Sequence, residues 1–148
     1  MKIDSKTLAA WRAFCSAHKL ENSIILFETS DEEIKALCNG IGSAGMPAWA
    51  RQFLDALHPS MRIPAASHDL EYSLLEDRSA EAFHGSNARF GRNCAAVVRI
   101  LYRWYDPRRY AALYKARQFA GLLDIGGKSA WRKARKAYLK SASGGLAG

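Results

Sequence analysis

AEAFHGSNARFGRNCAAVVRILYRWY, residues 80–105, decides the fold. Phe83, Asn87, Phe90, Cys94, Val97 and Leu101 follow one another in alternating steps of four and three, which lays one continuous stripe along an α-helix. Asp106-Pro107 ends that helix, because the residue before a proline is driven out of the α region. One member of the stripe is polar. Asn87 sits between Phe83 and Phe90, where an amide needs partners if the stripe is buried.

The same periodicity runs outward in both directions. Leu8, Trp11, Phe14/Cys15 and His18 mark a helix near 6–18 behind an Asp4/Ser5 cap, and Ser30 with Glu33 reads as a capping box opening a helix through Ile34, Leu37 and Cys38. The apolar run Ile24 to Phe27 is too short to assign. Asn39 to Pro47 breaks the pattern with three glycines and a proline, and Trp49, Phe53, Leu54 and Leu57 give a short helix before His58-Pro59. Pro64 suits the first position of a helix near 64–77. Tyr110, Leu113/Tyr114, Arg117 and Leu122 mark another, and Gly126-Gly127 separates it from a basic helix near 128–140. The sequence therefore predicts a small all-α, multi-helix single domain over 1–140, with a disordered tail over 141–148 (SASGGLAG).

At 148 residues and 49% hydrophobic, the chain can bury a core without help. No apolar run reaches the ~18 residues of a membrane span, and MKIDSKTLAAW lacks a signal-peptide core, so a cytoplasmic protein is expected. Cys15, Cys38 and Cys94 show no CxxC or finger spacing and lie on apolar stripes, as buried thiols do. The net charge of +8 is unevenly shared. Residues 1–77 hold 7 Lys/Arg against 11 Asp/Glu, whereas 78–148 hold 15 against 3. A half this basic attracts polyanions: nucleic acid, an anionic lipid surface or an acidic protein. Trp104, Tyr105, Tyr110, Tyr114 and Trp131 are interleaved with its arginines; their helical spacing predicts core positions for most of them, the alternative being that some form a stacking or interfacial surface.

The candidate chemistry lies on the 64–77 helix. His68 and Tyr72 are four apart and share a face, while Asp69 projects ~100° round from His68. Imidazole can take a proton from water, and the neighbouring carboxylate can hold a cation. A short connection favours antiparallel packing of this helix against 80–105, which brings Asn87 to His68 and Tyr72. Carbonyls of the loop Asn39-Gly40-Ile41-Gly42-Ser43-Ala44-Gly45 plus one carboxylate would suit the hard cation Ca²⁺.

Other readings compete for the same residues. His68-Asp69 alone also reads as a helix-surface pair. The loop spells GxGxxG, but a dinucleotide site needs a preceding strand, and Ile34 to Cys38 reads as helix. His58, His68-Asp69 and Asp124 meet the order of a metal phosphohydrolase, with a short first interval. His18 and His84 read as solvated or capping residues.

Taken in order, the glycine loop, A-x-x-H-D-x-x-Y over Ala65 to Tyr72, and Ser86-Asn87 followed by Phe90 resemble the phospholipase A2 superfamily, closest to small phage- and prophage-type members. Those carry an N-G-C-G loop, A-C-x-x-H-D-x-x-Y and A-D-x-x-F. Arg109, Ala112, Tyr114, Ala116 and Gly126-Gly127 are similar to a later segment of that group, so the likeness covers 38–132 and leaves the first 37 residues without a counterpart. The resemblance implies a calcium-dependent ester hydrolase. His68 would be the general base, Tyr72 an orienting residue, and Asp69 a Ca²⁺ ligand with the carbonyls of Gly40, Gly42 and Ala44. It departs at three positions. Ile41 and Ala65 stand where the family usually has a disulfide, which suits a reducing cytoplasm and implies an apolar contact between them. Asn87 stands where active members have the aspartate that holds the histidine. An amide oxygen still accepts the ring N–H but cannot stabilise imidazolium by charge, and an amide can also fix the wrong tautomer; in a serine-protease triad the equivalent exchange costs ~10⁴ in turnover. Weakened hydrolysis is therefore expected. The alternative is a non-enzymatic interaction protein on a degenerate hydrolase scaffold, such as a phage-borne inhibitor acting in the host cytoplasm on nucleic acid or an acidic host protein.

Overall fold

The computed structural model describes residues 3–38 and 59–144, and every regular element among them is helical. The helices are α1 (Ser5–His18), α2 (Ile25–Glu28), α3 (Asp31–Leu37), α4 (Arg62–Leu74, entered through a 3₁₀ turn at Pro59–Met61), α5 (Ala80–Leu101), α6 (Pro107–Gly126) and α7 (Lys128–Gly144). The loop with Gly40, Ile41, Gly42 and Ala44, the helix expected over 49–57, and His58 lie outside the described residues.

The caps follow the sequence. Asp4 accepts the Thr7 amide at 2.7 Å, and the reciprocal Ser30/Glu33 capping box is present at α3. Ser79 accepts the Ala82 amide at 3.0 Å to open α5. Asp106 accepts the Arg108 amide at 2.9 Å with Pro107 as the first residue of α6. Boundaries moved where tertiary structure intervened. α4 begins two residues before Pro64, whose missing N–H costs nothing in a first turn. It ends at Leu74, short of the expected 77, because Asp77 turns back to accept the Ser79 amide at 2.8 Å. α5 stops at Leu101 rather than 105, since the following capped, proline-led helix needs a turn to start. α7 runs to Gly144, so residues 141–144 are helical where composition predicts disorder; the Ser141 and Ser143 hydroxyls donate back to the carbonyls of Tyr138 and Lys140.

α4 is the centre of the molecule. Every residue from Ile63 to Ser73 is buried, and α2, α3, α5 and α7 pack around it. His68 lies beside Phe90 and Tyr72 beside Phe83, so α4 and α5 run antiparallel, as expected. α6 packs along α5, and Gly91 permits the approach: a Cβ there would stand 2.9 Å from that of Ala120. Leu8, Trp11, Leu26, Ile34, Leu70, Cys94, Val97, Val98 and Phe119 form the main core, and Cys15, Cys38 and Cys94 are buried free thiols. Residues 3–37 dock in part through Asn93, whose amide accepts from the Glu21 backbone N–H at 2.8 Å and donates to its carbonyl at 2.9 Å.

Candidate functional site

A helix buried all round must satisfy its polar side chains internally. Glu71, 2% exposed, accepts from Arg89 Nε and Nη2 at 3.0 Å each and from the Asn22 amide at 2.5 Å. The carbonyls at the C-terminal end of α4 receive two cations. Arg78 donates to Tyr72 and stacks 3.6 Å above the Trp131 ring; Arg135 donates to Ser73 and Leu74 at 3.3 and 3.2 Å. Several arginines of the basic half are thus structural.

His68 and Tyr72 are satisfied by one atom. Asn87 Oδ1 lies 2.9 Å from His68 Nε2 and accepts the Tyr72 hydroxyl at 2.7 Å. All three residues are at most 5% exposed, and Phe83, Phe90 and Trp131 wall the cluster. The expected meeting of His68, Tyr72 and Asn87 is therefore present. On its other side the Asn87 amide nitrogen donates to Asp124 Oδ1 on α6 at 3.2 Å, and His84 Nδ1 donates to that oxygen at 2.6 Å from the solvent side. Neither contact was expected from the sequence, where Asp124 appears only in the order of a metal phosphohydrolase and His84 only as a solvated or capping residue. His84 is solvated, as expected, but it is also hydrogen-bonded to Asp124. Asp124 lies 37 residues from Asn87, too far for any local spacing to reveal the contact.

Burial holds the His68 imidazole down at about 4, against a smaller opposing effect of the Asn87 bond, so the ring is neutral near pH 7. That is the state a general base requires. Burial pushes the Tyr72 hydroxyl well up, so it stays a donor. The Asp124 carboxyl is held low, chiefly by the His84 bond.

Asp69 follows His68 on α4 and is 9% exposed. Its charge helps raise the Cys38 thiol, already pushed up by burial, and that thiol contacts the Ala66 carbonyl at 3.6 Å. Cys38 is the last described residue before 39–58. A hard carboxylate oxygen such as that of Asp69 fits Ca²⁺. Among the described residues no group of three metal-ligating side chains assembles, and Gly40, Gly42 and Ala44 lie outside them. Ala65 is buried, and its expected contact with Ile41 likewise lies outside the described residues.

The aromatics of the basic half depart from expectation. Trp131 is buried, but Trp104, Tyr105, Tyr110 and Tyr114 are 59–73% exposed, and Ile125 on the same helix as the last two is 85% exposed. Helical spacing was a poor guide here because the apolar stripe of α6 that faces α5 is supplied by Leu113, Ala116, Phe119 and Leu123 instead. No protein-family model matches the sequence, and no curated protein or solved structure is significantly similar to it.

Proposed function

We propose that this chain is a phospholipase A2-like protein of phage or prophage type, a calcium-dependent ester hydrolase whose turnover is weakened by Asn87. The observation that carries the reading is the buried triple His68–Asn87–Tyr72 beside Asp69: a neutral imidazole with one nitrogen anchored and a carboxylate next to it. In this reading His68 removes a proton from water while its other nitrogen stays bonded to Asn87, and Tyr72 keeps the amide oxygen in place. Asp69, with the carbonyls of Gly40, Gly42 and Ala44 that the resemblance implies, would hold Ca²⁺. The bound cation would polarise the ester carbonyl and stabilise the oxyanion.

The weak step is the imidazolium. Asn87 offers it a dipole rather than a charge, and the carboxylate bonded to that amide, Asp124, is one hydrogen bond further out. The test is release of fatty acid from anionic phospholipid vesicles with and without Ca²⁺. Wild type should be slow, and the exchange Asn87→Asp with Asp124→Asn should raise calcium-dependent turnover at least about tenfold, a fraction of the ~10⁴ that the charge is worth in a serine-protease triad. If neither protein hydrolyses the vesicles, the hydrolase reading fails.

The exposed aromatics beside arginines favour a second reading, in which the scaffold serves as a binding protein for a polyanion: an anionic lipid surface, nucleic acid or an acidic host protein in the host cytoplasm. Salt-sensitive binding without turnover, in wild type and in the exchanged protein alike, would favour it over the first.

A further inference from the structure

Asp124 has no role in the resemblance, yet it touches the amide on which the site turns. A carboxylate accepts and never donates when ionised, so the Asn87 group facing it must be the NH₂. That orientation sends the amide oxygen toward His68 and Tyr72. Both must then donate to it, and the His68 proton sits on Nε2, leaving the lone pair on Nδ1. Rotating the amide by half a turn would set its oxygen against the Asp124 carboxylate and present N–H to the ring. His68 would then accept at Nε2 and carry its proton on Nδ1, with no lone pair left to take another. The two states differ in which nitrogen can act as a base, and among the described residues the groups contacting the amide bias the choice. Tyr72, which can donate or accept, does not choose between them.

We infer that Asp124 is the positioning residue of this site, fixing the Asn87 amide and through it the Nε2–H tautomer of His68. His84 holds Asp124 in turn, through a 2.6 Å bond to the same oxygen that receives the amide. The device replaces a carboxylate on the histidine by a carboxylate one bond removed: the geometry of the base is kept and the charge is not. The tautomer is a property of the folded protein and does not require hydrolysis, whereas its catalytic meaning rests on the hydrolase reading above.

The test is the tautomer itself, read near neutral pH from long-range proton–nitrogen correlation spectra of ¹⁵N-histidine protein without added metal. Wild type should show His68 wholly as Nε2–H. Asp124→Ala, at a half-exposed position, should keep the helical circular dichroism and show a measurable second population protonated on Nδ1. Asp124→Asn, which offers either a donor or an acceptor to Asn87, should give the same mixture if the alanine variant is too unstable to label. A purely structural Asp124 would shift melting temperature and leave the tautomer alone. Wild-type His68 protonated on Nδ1, or a single Nε2–H form retained in both variants, overturns the inference. Pure Nε2–H in wild type with no hydrolysis under any condition would sink the hydrolase reading and leave this one standing.

Discussion

Asn87→Asp alone is the obvious way to restore a carboxylate to the histidine, and the contacts of Asn87 argue against it. The amide nitrogen it would replace donates to Asp124 at 3.2 Å, so the substitution sets a buried carboxylate against the half-exposed one of Asp124. The single variant should therefore be less stable than the exchanged pair, by roughly 1–3 kcal/mol, as measured by urea unfolding at pH 7. Ser86 presents the opposite case. Its hydroxyl is buried with no hydrogen-bond partner among the described residues, so Ser86→Ala should be neutral or stabilising by about 1 kcal/mol. His68 sets a pH dependence. Its imidazole titrates near 4 when folded against 6.5 when exposed, so the unfolded chain binds the extra proton first and stability falls as pH drops through that window. The full effect is roughly 3 kcal/mol, and His68→Asn should flatten that stretch of the curve in calcium-free buffer. Asn87 was legible in the sequence because a single polar residue interrupts an apolar stripe. Asp124 was not, because nothing local distinguishes a carboxylate that reaches across to another helix from one in solvent.

Between helices, three glycines report how tightly the elements approach. Gly121 has open space where a Cβ would go, so Gly121→Ala should stabilise α6 by up to about 1 kcal/mol through helix propensity alone. Gly91→Ala gains the same term and loses it again against Ala120, since both helices must part by a few tenths of an ångström. Gly127 joins α6 to α7, and a Cβ there would meet the Leu123 carbonyl at 2.5 Å and the Tyr72 hydroxyl at 2.8 Å. Gly127→Ala should therefore be the costliest of the three, by about 2–3 kcal/mol, and should weaken the Tyr72–Asn87 bond; thermal melts of the three variants check the order. The helices themselves were readable from period and caps, including Ser30/Glu33 and Asp106-Pro107. The burial of α4 on all sides was not, because Asp69 and Glu71 read as surface residues until Arg89 and the rest of the fold enclose them.

Across the whole molecule, the charge division acquires a sharper meaning once the structural arginines are set aside. Arg78 and Arg135 close the end of α4, Arg89 holds Glu71, Arg92 holds Glu21 and Arg108 pairs with Asp106. Lys115, Arg117 and Lys133 are exposed, and Tyr110, Tyr114 and Ile125 lie exposed on α6. No described helix is long and apolar enough to cross a membrane. Aromatic rings suit both a bilayer interface and stacked bases, but an aliphatic side chain as exposed as Ile125 gains from burial in lipid and has little to offer a base. Binding to vesicles rich in anionic lipid should fall steeply with salt, and replacing Lys115, Arg117 and Lys133 together by glutamine should weaken it about a hundredfold, at ~1 kcal/mol per cation near an anionic surface. Tyr110→Ser with Ile125→Ser should weaken vesicle binding further while leaving binding to single-stranded DNA less affected. Vesicle binding unchanged by both sets of substitutions would remove the lipid surface as a partner of these residues, and loss of DNA binding alone would assign the aromatics to nucleic acid.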